Sequence, residues 1–327
     1  MATQIQSANL TFKYSFADTF VFFSMNGNAS ATAIDLNGTE IPYANIVDTS
    51  SRDKRFVIAL APNTKLDEKT AKQLKENRYL VLDVSKPSAH DIKKHVDRYG
   101  SGVWAQNHRQ QLASAGKENL FHAVTCPHCA ATIDLSECER TTYVYCPYCA
   151  SIVNHSQQLI SNSDTYTICD ECHMYDRVRS YSVFYFYFLL VVYGYSLKKR
   201  FVCDACATSI AQRALLLNFI FILGIPSSIY MWIKAQSGRD PYFQDLAKAN
   251  KLARRGKYQE ADEIYDRLFS LYPEHPGLLM NKGLGHLHGG DGNGGVSLLT
   301  RSLKACGNYL PSIQFIQRIQ QAAAQAK

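Results

Sequence analysis

The sequence predicts a multidomain α+β protein, and three observations carry that reading. Short apolar or alternating runs separated by turn residues fill the first third. Four Cys-x-x-Cys pairs crowd the middle, and the C-terminal quarter has helical periodicity. In chain order this gives a small antiparallel β domain with a closing helix at 1–117 and cysteine-rich β modules at 122–155 and 165–210. One apolar helix at 214–235 and α-α hairpins at 240–327 follow.

At 327 residues the chain exceeds one ordinary domain, and 46% hydrophobic with 19% charged residues suits folded cores. A net charge of +7 permits contact with anionic lipid or nucleic acid without requiring either. The opening residues lack the basic-then-apolar order of a secretory signal.

Strands are expected at 10–16, 19–25, 31–36, 55–61 and 78–84. Asn26-Gly27-Asn28, Asn37-Gly38 and Pro62-Asn63 are the expected turns. A short charged helix is expected at 65–76. A longer helix starts after Pro87, with Ser88 as cap and Ile92, Val96 and Tyr99 on its inner face. His90, Asp91, His95 and Asp97 fall on its outer face, and 101–117 reads as a polar linker. Strands followed by a closing helix resemble a pleckstrin-homology-type barrel over roughly 8–115. That resemblance implies a lipid-headgroup or peptide ligand; a β domain without a ligand is the competing expectation. No catalytic set is visible here.

The cysteine pairs are Cys126–Cys129 (C-P-H-C), Cys146–Cys149 (C-P-Y-C), Cys169–Cys172 (C-D-E-C) and Cys203–Cys206 (C-D-A-C). They take eight of the ten cysteines. Two thiolates three positions apart can grip one ion, and a second pair completes a tetrahedral four-sulfur shell. Sixteen residues separate Cys129 from Cys146, and with proline in both knuckles the stretch 122–155 resembles a zinc ribbon. Iron in a rubredoxin-like shell is the alternative metal. C-P-Y-C also resembles the redox dithiol of glutaredoxin-like proteins, but the βαβ setting of that chemistry is missing. Open thiols in pairs suit a reducing compartment.

Thirty residues separate Cys172 from Cys203, and they include the run YSVFYFYFLLVVYGYS at 181–196. Its aromatic and β-branched content suits a long hairpin, whose rings either meet a bilayer surface or form a core between ribbons. If Cys169, Cys172, Cys203 and Cys206 share one ion, both ends of the insert return to one point. Pairing in series is favoured over the interleaved pairing of RING or FYVE domains, so about two zinc ions are expected. His128 and His173 flank knuckles without completing them, and Cys138 is expected to be a small buried residue. Arg177, Arg179, Lys198, Lys199 and Arg200 form a modest basic group suited to nucleic acid or lipid phosphate.

Residues 214–233 read ALLLNFIFILGIPSSIYMWI, twenty positions without a charge. As one helix they would span about 30 Å, the thickness of a hydrocarbon core. The expectation is a membrane helix; a buried pair of short helices or a re-entrant hairpin turning at 224–228 are the alternatives. The flanking basic residues set no clear orientation.

Farther on, Ala249, Leu252, Gly256, Tyr258, Ala261, Tyr265, Leu268 and Pro273 make 241–275 resemble a tetratricopeptide repeat. A second unit from Gly277 departs from the pattern. Gly292, Gly294 and Gly295 stand where its second helix begins, so a short or frayed helix is expected at 296–306. A capping helix is expected at 313–326. The resemblance implies protein binding in a concave groove; a hairpin that merely packs on its neighbours is the alternative.

Together these features predict a non-enzymatic, membrane-anchored zinc adaptor. It would recruit protein through its helical region and hold its cysteine modules on the cytoplasmic face of a membrane. A membrane-associated nucleic-acid-binding zinc protein is the alternative.

Overall fold

The computed structural model describes residues 9–17, 24–154, 166–189, 192–218, 225–236, 243 and 245–325, with backbone alone at 183–189, 192–199 and 217–218. It divides into two compact units, Met1–Glu137 and Cys138–Lys327.

The first unit is built on seven strands: β1 (Leu10–Phe16), β2 (Met25–Ala29), β3 (Ala33–Leu36), β4 (Thr39–Pro42), β5 (Ile46–Arg52), β6 (Arg55–Leu60) and β7 (Tyr79–Val84). They form one sheet in the order β4-β3-β2-β1-β7-β6-β5, with antiparallel neighbours throughout. Alternation sets the buried face. Phe12, Tyr14 and Phe16 on β1 meet Phe56, Ile58 and Leu60 on β6 and Leu80, Leu82 and Val84 on β7 in one core. Asn37 and Gly38 turn β3 into β4 with positive φ of 54° and 95°, as Asn-Gly leads one to expect.

Two of these sequence expectations need correction, and a third is untested. Gly27 is no turn residue; it lies inside β2 opposite Phe12. A β-carbon there would come within 2.5 Å of the Phe12 ring, so the glycine lets that ring pack across the strand. The expected strand at 19–25 falls largely outside the described residues. The charged helix shrinks to one turn, α1 (Glu68–Ala71), capped by Asp67.

The closing helix α2 (Ala89–Ser114) is longer than predicted, because most of the supposed linker is helical. Ser88 and Asp91 form a reciprocal capping box at its start. Ile92 and Val96 enter the sheet core, and Trp104 Nε1 donates to Tyr43 O at 2.8 Å. His95 and Asp97 are buried, not solvated. Asp97 accepts from Thr49 Oγ1 at 2.7 Å and pairs with Lys93. Burial raises the Asp97 pKa despite these partners. The unit ends in a two-stranded ribbon, β8 (Ala123–Thr125) with β9 (Thr132–Asp134). Ser101 Oγ on α2 accepts from the Thr132 amide at 2.9 Å.

The second unit opens with β10 (Tyr143–Tyr145) against β11 (Ile152–Asn154). A three-stranded sheet follows: β12 (Tyr166–Ile168), β13 (Tyr175–Leu189) and β14 (Val192–Cys203), in that order. The β13–β14 hairpin pairs Leu189 with Val192 at its far end and Val178 with Cys203 at its root, so the aromatic insert returns to its start.

Seven helices follow among the described residues: α3 (Asp204–Asn218), α4 (Ile225–Gln236), α5 (Leu246–Ala253), α6 (Tyr258–Leu271), α7 (Pro276–His288), α8 (Gly292–Ala305) and α9 (Leu310–Gln325). Of the expected single span at 214–233, α3 and α4 take the described ends and pack on each other, and 219–224 lie outside the described residues. No helix among the described residues is long and apolar enough to cross a membrane.

The helix predicted to fray does not. α8 starts at Gly292, and the Asp291 side chain accepts from the Gly294 amide. A β-carbon on Gly295 would come within 2.5 Å of Leu287. Gly294 and Gly295 lower helix propensity but let α7 and α8 approach, and packing outweighs about 1 kcal/mol per glycine.

One core joins the helices to the strands. Tyr143, Tyr145 and Ile152 of β10–β11, with Tyr166, Met174 and Tyr175, pack with Leu246, Tyr265, Leu278, Leu279, Leu299 and Tyr309. Each such side chain contributes about 2 kcal/mol on burial.

His275 caps α7 from inside this core, with Tyr143, Tyr175 and Phe243 around its ring. Burial lowers its pKa to about 3. The folded state therefore refuses a proton that the unfolded chain accepts below its ordinary pKa of 6.5. This contribution to stability is intact above that pH and is lost as pH falls toward 3. Between pH 7 and 5, wild type should lose about 2 kcal/mol more than His275→Asn, which keeps a capping side chain. Urea midpoints at the two pH values test this, and equal losses in both proteins would refute it.

Candidate metal centres

Three of the four knuckles share one backbone design. The amide of Cys126 donates to Ala131 O (2.8 Å), that of Cys146 to Ser151 O (2.8 Å), and that of Cys169 to Met174 O (3.0 Å). A return bond reaches each first cysteine's carbonyl from the residue after the second cysteine: Ala130, Ala150 or His173. Those three residues have positive φ of 58°, 59° and 56°. The tight left-handed turn brings each pair of sulfurs to one side. The fourth knuckle is built differently: Cys203 ends β14 and Cys206 sits in the first turn of α3.

The eight cysteines gather into two groups. Cys126, Cys129, Cys146 and Cys149 form one; Cys169, Cys172, Cys203 and Cys206 form the other. Within each group the sulfurs lie within 4.8 Å of one another. Pairing is thus in series. No histidine or carboxylate joins either group among the described residues. His128 and His173 stand outside. Cys138 is half-buried, not buried as expected, whereas Cys306 is fully buried in the helical core.

Four thiolates with no other donor form a closed tetrahedral set, which suits zinc or another thiophilic ion. Each group can hold one metal ion, and six of the eight cysteines are buried with Cys149 and Cys172 partly so. Hydrogen bonds from Cys172, Cys203 and Cys206, with help from the Cys203 amide, hold the Cys169 thiol far below its ordinary pKa. That amide donates to Cys169 Sγ at 3.3 Å.

Groups that the sequence did not single out support the second centre. Arg254, at the end of α5, donates from Nη1 to Cys206 Sγ at 3.1 Å. Burial works against its charge, but the sulfurs of Cys172, Cys206 and Cys203 outweigh it and raise its pKa. Asp204, between the last two cysteines, accepts from Arg177 (3.0 Å), Arg179 (2.8 Å) and Tyr181 (2.6 Å). Arg200 pairs with Glu171 at 3.0 Å. Three members of the predicted basic group are therefore engaged within the protein. The side chains of the other two, Lys198 and Lys199, lie outside those described. No signal near Arg254 in the sequence tied it to a cysteine forty-eight positions away.

Comparison with known proteins adds no assignment: no protein family, no curated protein and no solved structure matches the chain.

Proposed function

We propose that the protein is a non-enzymatic, membrane-associated zinc adaptor whose metal sites hold a helical platform in place for a protein partner. The observation that carries this is the shared core of the second unit. The strands around the second cysteine group and the C-terminal helices bury the same aromatic cluster, and Arg254 of the helical region touches Cys206. A closed four-thiolate set lacks the open position that a catalytic zinc uses, so zinc here acts on shape.

The α5–α6 and α7–α8 hairpins support a tetratricopeptide-like reading. Ala249, Ala261 and Tyr265 are buried at the matching positions. The seven-stranded sheet followed by a closing helix supports the pleckstrin-homology-like reading of the first unit. On α3 and α4, Leu216, Ile229, Tyr230, Trp232 and Ile233 are exposed. Apolar and aromatic groups of this kind suit a bilayer interface, with the cysteine modules on the cytoplasmic side. The nucleic-acid alternative loses support, because Arg177, Arg179 and Arg200 already have acidic partners.

Flotation with neutral phosphatidylcholine vesicles tests the membrane part. Wild type should rise with the vesicles, and Trp232→Glu/Ile233→Glu should stay below. Wild-type protein that remains in the dense fraction would remove membrane association from this reading.

A further inference from the structure

Beside the second cysteine group, α3 and α5 enclose an open cavity of about 470 Å³. Thr208, Ser209 and Gln212 line it from α3; Lys251, Arg254 and Arg255 line it from the end of α5. Ala205 completes the wall, and no carboxylate contributes. Three cations thus face one helix of neutral hydrogen-bonding side chains. Lys251 and Arg255 are exposed and make no ion pair among the described residues.

We propose that this cavity binds a phosphate monoester, with Lys251, Arg254 and Arg255 supplying charge and Ser209 and Gln212 supplying hydrogen bonds. Two internal demands compete for the cations. The C-terminal end of α5 carries about half a negative charge, which three cations exceed. The cysteine group claims Arg254 through Cys206, but no hydrogen bond joins Lys251 or Arg255 to a sulfur among the described residues. Two exposed cations without an ion pair among the described residues, beside an anchored guanidinium, make a fork suited to a doubly charged tetrahedral anion. Ser209 and Gln212 on the facing helix offer donors to the remaining phosphate oxygens, while the Thr208 hydroxyl donates to Asp204 O at 2.8 Å. The cavity exceeds the size of a bare phosphate and has room for the group that carries it. That group is either a lipid headgroup or a soluble phosphate ester. The inference does not depend on the adaptor reading.

The test uses the full-length, metal-loaded chain and Lys251→Gln/Arg255→Gln, which removes two exposed charges without touching a sulfur. In one arm, inorganic phosphate is titrated by calorimetry at low salt. In the other, vesicles of phosphatidylcholine with and without phosphatidic acid are compared by sedimentation. Saturable one-to-one phosphate binding, about tenfold weaker in the double variant, supports the site and a soluble ligand. Extra binding that requires phosphatidic acid and vanishes in the double variant supports it with a lipid source. Absence of both effects, or equal binding by the two proteins, overturns it. A double variant that purifies with less metal also overturns it, because the cations would then serve the cysteine group. Neutral vesicles act only as a baseline here, so failure of this proposal is separable from failure of membrane association.

Discussion

Cys169→Ser is expected to reduce the metal content from two ions per chain to one and to loosen the C-terminal helices along with the cysteine module. Cys169 is fully buried and accepts a hydrogen bond from the Cys203 amide within its group. A structural zinc contributes about 10–16 kcal/mol of apparent binding free energy. A whole domain is stable by only about 5–15 kcal/mol, so losing one ion matters on that scale. The damage should spread for two reasons. Arg254 would keep its partly buried charge without the thiolates that balance it, and Met174 and Tyr175, just past Cys172, sit in the helical core. Elemental analysis should find one ion, near-ultraviolet circular dichroism should lose tyrosine signal, and amide exchange should speed up in α5. Cys138→Ser, outside both groups, should retain two ions and the wild-type melting temperature. A Cys169→Ser protein with two ions and an unchanged melting temperature would remove the structural role assigned to this centre.

The cysteine groups were legible because knuckle spacing is a local pattern and the partner pairs lie close in sequence. The return of the aromatic insert to its start followed from the same reasoning, and β13–β14 has the length for it. Features that depend on distant contacts were hidden. Gly27 looks like a turn until Phe12 is seen lying across it. Asp97 looks solvated until Thr49 on β5 is found beside it. The edge strands β4 and β5 are too polar to read as strands, and β5 carries IVDTSSR. Gly295 weakens α8 by propensity and enables it by packing. The single apolar helix at 214–233 is unconfirmed for a further reason. Length and absence of charge distinguish a bilayer span from a polar helix, but not from two apolar helices packed together, as α3 and α4 are.

A polar network, rather than apolar burial, fixes how the helices meet β13, and Asn281→Ala should expose its weight. Asn281 is fully buried on α7. Its Nδ2 donates to Tyr175 O at 2.6 Å and to Asn250 Oδ1 at 2.8 Å, while its Oδ1 accepts from the Tyr175 amide at 2.8 Å. Asn250 in turn donates to Asp176 Oδ2 at 2.9 Å and accepts from Tyr265 at 2.7 Å. Truncation at 281 takes the Asn281 acceptor from the Tyr175 N–H and leaves the Tyr175 C=O with Asn250 Nδ2 alone, at 3.1 Å. A buried group left unsatisfied costs about 1–3 kcal/mol, so a loss of about 2 kcal/mol is expected. Asn281→Asp should cost more, because a carboxylate cannot donate to Tyr175 O and its charge would lie near Asp176. Burial already pushes the Asp176 pKa up to about 7, so a second acid there meets the same penalty. Urea midpoints should therefore fall in the order wild type, Asn281→Ala, Asn281→Asp, with both variants still holding two metal ions. If Asn281→Asp equalled wild type, the amide would not be what registers the helices on the strand. If either variant lost an ion, the network and the second cysteine group would be one cooperative unit rather than two.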